Sequence, residues 1–117
     1  FLEENDLNTE QMSNGFHPDF AILIADNTNL KRLELPVWIK IVEEYKNDAK
    51  KVKSGDRNLE YKFDLIDVTG NAAVVKTQLF RKGEHVITDY ISFLKFKNGW
   101  RAVSKISNEH IPNPLNI

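Results

Sequence analysis

Between Pro36 and Lys50 apolar residues recur every three or four positions, whereas from Leu59 onward they alternate with polar ones. The first pattern predicts an amphipathic helix. Val37, Trp38, Ile41, Val42, Tyr45 and Ala49 form an apolar stripe, and Lys40, Glu43, Glu44, Lys46 and Lys50 take the wet face. Pro36 suits the first turn, where no backbone N–H is needed, and Gly55 suits the end. The second pattern predicts strands at about 58–68, 71–81, 84–96 and 100–108, parted by Thr69-Gly70, Lys82-Gly83 and Asn98-Gly99.

Ahead of the helix, Phe20 to Ala25 reads as a short strand, Asp26-Asn27-Thr28-Asn29 as a turn, and Leu30 to Leu35 as the return strand. Pro18 marks Phe16-His17-Pro18-Asp19 as a turn of its own. From Phe1 to Met12, acids separate Phe1, Leu2, Leu7 and Met12. This predicts the end of one helix, begun upstream, and a short second one with Asp6 or Asn8 as N-cap and Gly15 as stop. Helices first and an antiparallel meander afterwards is an α+β arrangement.

Counting outward from two-residue loops gives a register. Lys76 then opposes Asp89, Val74 opposes Ile91, Tyr61 opposes Gln78, and Asp89 opposes Asn108. One face collects Tyr61, Phe63, Leu65, Val74, Ile91, Phe93 and Ile106 around Lys76, Gln78, Asp89, Ser104 and Asn108, and should lie under the helices. The outer face gathers Val75, Tyr90, Leu94 and Val103, flanked by Ser92 and Lys105. A single bulge would flip every assignment beyond it.

At 117 residues, 41% apolar and 28% charged, the chain fits one ordered domain spanning 1–117. A net charge of −1, with both signs interspersed, excludes the basic footprint of a nucleic-acid binder or a polybasic membrane patch. No apolar run reaches the roughly 18 residues of a membrane span. Without cysteine there are no disulfides, thiolate metal sites or thiol nucleophiles, and the compartment stays open. It could be cytoplasmic, or exported after loss of a leader.

Two stretches carry a family likeness: Asp67-Val68-Thr69-Gly70-Asn71-Ala72-Ala73-Val74-Val75-Lys76, and Thr88-Asp89-Tyr90-Ile91-Ser92-Phe93-Leu94-Lys95 with Gly99-Trp100 and Lys105 beyond. They resemble the nuclear transport factor 2-like superfamily, in the branch labelled Putative lumazine-binding. Gly15-Phe16-His17-Pro18-Asp19 is similar to the turn that closes that family's first helical region. The likeness covers nearly the whole chain, less a first helix. It implies a cone-shaped curved sheet wrapped by helices, with a cavity between them and frequent dimerisation through the outer face. It implies a pocket and not a reaction.

The candidate chemistry centres on Asp89 and Lys76, expected to face each other among Phe63, Val74 and Ile91. Such a pair serves either as a polar anchor or acid–base group in a cavity, or as a self-satisfying ion pair. Tyr61 needs a partner for its hydroxyl, which Gln78 is placed to supply, and Asn108 adds a further polar anchor. Trp38 and Phe16 would line the ligand pocket or simply fill the core. His17 precedes a proline, His85 adjoins a turn and His110 lies in a Pro-rich tail, so none is set up as a base. No spacing suits a metal, no nucleophile motif appears, and no cofactor is implied. The leading expectation is a small-molecule-binding domain. An isomerase or dehydratase-like enzyme using Asp89, or a non-catalytic dimeric module, are the alternatives, with a homodimer expected through the outer face.

Overall fold

A computed structural model describes residues 15–54 and 59–111. In chain order the elements are β1 (Phe16–Asp26), β2 (Asn29–Glu34), α1 (Leu35–Lys46), α2 (Ala49–Ser54), β3 (Glu60–Thr69), β4 (Ala72–Arg81), β5 (Glu84–Phe96) and β6 (Gly99–Glu109). The strands form one six-stranded sheet in the order β2-β1-β6-β5-β4-β3. From β3 to β6 it is a continuous antiparallel meander, as the alternation predicts. β1 then joins β6 in parallel, and β2 closes that side as its hairpin partner.

Turn chemistry explains where the hairpins close. Lys82 and Gly83 both take positive φ, 50° and 81°, as a two-residue type I′ turn demands. The other two loops sit one residue away from their expected places. Gly70-Asn71 turns between Thr69 and Ala72, because Gly70 supplies the positive φ of 56° at the first central position. Lys97-Asn98 turns between Phe96 and Gly99, and Gly99 takes φ 115° just after the loop. That is the place a type I turn followed by a glycine bulge gives to glycine.

Three bulges complete the register. Asp64 is extra in β3, Val86 in β5 and Val103 in β6. Together with the moved loops they overturn the counted map. Asp89 opposes Thr77 and Ser107, whereas Lys76 opposes Leu65 and Tyr90. The concave rows become Phe63–Thr77–Asp89–Ser107 and Ile66–Val75–Ile91–Lys105, while Val74, Lys76, Gln78, Ile106 and Asn108 go to the outer face.

α1 crosses the concave face at one side only. Trp38 and Val42 are fully buried against Phe16, Phe20, Ile22, Ile91 and Ala102. Phe20 stacks on Trp38 at 5.5 Å, and Phe16 meets both rings edge-on. Each such side chain stabilises the fold by roughly 1.5–3 kcal/mol. The expected contact of this helix with Ile91 is present, but Phe63 remains 46% exposed and Val74 lies on the opposite face. A second, smaller core joins Leu59, Leu79, Val86 and Ile87.

The predicted helix divides. α1 stops at Lys46, where the Asn47 N–H reaches back to Glu43 and Tyr45, and Asp48 Oδ1 accepts the Lys50 N–H at 3.1 Å to begin α2. Phe16 to Asp19 belong to β1 instead of a separate turn, since the ladder skips from Phe16 to Ala21 and so passes Pro18 without needing its missing N–H. The expected helices before Gly15, with Asp6 or Asn8 as caps, and the stop at Gly55 lie outside the described residues.

Candidate functional site

β1 and β6 run side by side only as far as the Ile22–Lys105 pair. Beyond it they part, and a cleft of about 230 Å³ opens between Ile22–Ala25 on one wall and Lys105, Ser107 and Glu109 on the other. β6, one of these walls, also carries the buried Lys105, and its neighbour β5 carries the buried Asp89.

Lys105 stands at the junction of cleft and core, with a side chain only 8% exposed. Its Nζ lies 4.5 Å over the centre of the Trp38 ring and 4.0 Å from Asp89 Oδ2. Asp89 in turn accepts a hydrogen bond from Ser107 Oγ at 2.5 Å. A charge held this far from water persists because an opposite charge and an aromatic face replace its hydration. Trp38 Nε1 and Thr77 Oγ1 are buried beside this group, and neither finds a hydrogen-bond partner among the described residues. The arrangement offers donors from Lys105 and Trp38 and the acceptor oxygen of Ser107 in a largely apolar shell, with Asp89 as the balancing anion.

The outer face carries a second polar chain. Lys76 Nζ lies 3.3 Å from Asp64 Oδ2, which also accepts from Gln78 Nε2. Thr88 Oγ1 donates to Gln78 Oε1, His85 Nε2 lies 2.7 Å from the same oxygen, and His110 Nε2 lies 2.9 Å from Thr88 Oγ1. The His85 and His110 rings stack at 3.9 Å, with Phe80 on the far side of His85. The hydrogen bond from Gln78 and the Lys76 ammonium hold the Asp64 carboxyl below its usual range, and Asp64 raises Lys76 in return. Every group in this chain is already partnered, which marks it as a clamp on the end of β6.

The expected site residues therefore separate. Asp89, Trp38 and Phe16 come together in the concave core. Tyr61 is on that face but 46% exposed, edge-on to Phe63 at 5.5 Å and opposite Leu79, not Gln78. Lys76, Gln78 and Asn108 lie on the outer face, so Lys76 is not the partner of Asp89. Of the outer patch, Tyr90, Ser92, Leu94 and Val103 are as expected, but Val75 and Lys105 face inward. His17, at the start of β1, accepts the Asp19 N–H on Nδ1 at 3.0 Å and stacks on Phe96, so its ring is held locally.

Ser107 and Thr77 were not singled out by sequence, and Lys105 was placed on the outer face. The signal was Gly99: reading it as the residue after the loop, with a bulge beyond, turns Lys105 inward. Among the described residues no group of three His, Asp or Glu side chains could hold a metal. None of the described helices is long and apolar enough to cross a membrane.

A family model described as Putative lumazine-binding matches residues 4–107. Among solved structures, a nuclear transport factor 2-like protein of unknown function from Silicibacter pomeroyi is similar with a TM-score of 0.69 and 16% identity, over 93% of this chain and 85% of that one. One from Shewanella baltica is similar with a TM-score of 0.68 and 17% identity, over 94% and 84%. A third, with a cystatin-like fold, from Novosphingobium aromaticivorans, has a TM-score of 0.61 and 14% identity, over 98% and 77%. At such identities the likeness is one of fold. Comparison with curated proteins finds no match.

Proposed function

Since the chain belongs to the Putative lumazine-binding family of the nuclear transport factor 2-like superfamily, we propose that it is a small-molecule-binding domain whose ligand enters the cleft between β1 and β6. The observation that carries this reading is Lys105: a shielded ammonium at the wall of a cleft, with no side-chain hydrogen bond among the described residues and its counter-charge, Asp89, 4.0 Å away. A ligand oxygen would satisfy it. Ile22 and Ile24 supply the apolar wall, and Ser107 a second polar contact. At about 230 Å³ the cleft falls below the roughly 300–1,000 Å³ of sites for drug-sized ligands, so a compact molecule is the better fit. Asp89 stands behind Lys105 and Ser107 and does not line the cleft, which favours a binding role over proton transfer.

The test is a thermal-shift series with compact planar heterocycles and carboxylates, lumazine among them. A ligand at about 100 times its Kd adds about 2.7 kcal/mol to stability. The shift should vanish in Ile24→Trp, which fills the cleft from its apolar wall. Binding that survives in Ile24→Trp would place the ligand elsewhere.

A further inference from the structure

β3 is an edge strand exposed along its whole length and on both faces. On the concave side it shows Tyr61, Phe63, Ile66 and Val68, each between 46% and 61% exposed. On the outer side Asp64 is taken by Lys76 and also feels the charge of Lys62, but neither Lys62 nor Asp67 forms a salt bridge among the described residues. Edges of monomeric proteins are commonly blunted, and one this long and apolar is a template for another strand.

The bulge at Asp64 selects which strand. It inserts one residue between Phe63 and Leu65, so a partner of regular spacing could stay in step on only one side of it. A second β3, antiparallel and centred between Asp64 and Leu65, carries the same extra residue at the same place and stays in step on both sides. Phe63 then opposes the partner's Ile66, Tyr61 opposes the partner's Val68, and Lys62 opposes the partner's Asp67. Directly opposed residues share a face. The four apolar residues are all concave and Lys62 and Asp67 are both outer, so these three pairs match in face and in chemistry, while Asp64, held by Lys76 of its own chain, meets the partner's Leu65 at the centre. Two-fold symmetry makes each contact twice. We propose that two copies of this chain associate through their β3 edges in this register, joining their sheets into one.

The test is sedimentation equilibrium at micromolar concentration. The wild-type chain should be a dimer. Lys62→Asp and Asp67→Lys each set like charges opposite one another twice, and each should weaken association roughly tenfold or more. The double variant, Lys62→Asp with Asp67→Lys, should restore it. Because the chain has no cysteine, Lys62→Cys with Asp67→Cys offers a second reading, and mild oxidation should yield a covalent dimer whether or not the charge reversals fold well. A monomeric wild type overturns the proposal. So does a dimer indifferent to both reversals, which would be held through the outer face, or a charge-swapped double variant as weak as the singles together with a Cys variant that fails to cross-link.

Discussion

The Lys105 ammonium sits 4.5 Å over the centre of the Trp38 ring. With Asp89 at 4.0 Å it forms a buried charge pair stabilised by an aromatic face. Lys105→Met should therefore cost about 3–5 kcal/mol in urea unfolding, because Asp89 would be left charged and enclosed without its counterion. Asp89→Asn should cost a similar amount, and the two changes together less than their sum, since the first already destroys the interaction. Additive losses would show that the two residues do not act as a pair.

The outer pair gives a pH dependence of known sign. Asp64 has a folded pKa below its ordinary value, chiefly through Gln78 and then Lys76. Its contribution is present above the unfolded carboxylate pKa of about 3.9, and is lost as pH falls through the lowered folded value. Lys76 has a raised folded pKa. Its contribution is full below about 10.4 and disappears as pH rises through the folded value. With side chains 43% and 28% exposed, both effects are small. Lys76→Met should bring the Asp64 titration, followed by carboxyl NMR, back toward the ordinary range. A titration unmoved by that change would remove Lys76 from the account.

These two pairs show what the sequence disclosed. Alternation and turn residues were enough for the meander, the β1–β2 hairpin and the onset of the helix at Pro36, because each depends on neighbours in the chain. Which face a residue occupies depends on parity, and one extra residue reverses it. Lys76 and Asp89 were each given the same face by an unbulged count; the extra Val86 in β5 puts them on opposite faces. Bulges carry no strong residue signature when, as at Asp64, Val86 and Val103, the extra residue is not glycine. The aromatic core of Phe16, Phe20 and Trp38 was easier, since large apolar residues beside a helix stripe have few other places to go.

The I′ turn offers a check on backbone conformation independent of any side-chain contact. Lys82 holds φ 50° with a β-carbon, a strained position for a residue other than Gly or Asn. Lys82→Asn should raise stability by about 0.5–1 kcal/mol, while Gly83→Ala at φ 81° should lower it by about 1 kcal/mol or more. Opposite signs at adjacent exposed positions would be hard to obtain from any other turn.

The clamp on the end of β6 turns on Thr88, only 7% exposed. Its hydroxyl donates to Gln78 and lies 2.9 Å from His110 Nε2. Thr88→Val keeps the shape and removes both bonds, for an expected loss of about 1–3 kcal/mol. The local signature is hydrogen exchange. The His110 N–H, bonded to the Val86 carbonyl at 2.7 Å, should lose protection more than amides in the Ile91–Lys105 region.

Thr77 is the opposite case. Its hydroxyl is fully buried beneath Asp89, and no hydrogen-bond partner stands within reach among the described residues. Folding strips such a group of water and returns nothing, a cost of about 1–3 kcal/mol. Thr77→Val replaces the hydroxyl with a methyl of nearly equal size and should stabilise the chain by about 1 kcal/mol. Thr77 lies on β4, two strands from β6, and does not line the cleft between β1 and β6, so the same variant should bind a cleft ligand as the wild type does while melting at a higher temperature. If Thr77→Val instead melts lower, the hydroxyl has a partner such as an ordered water.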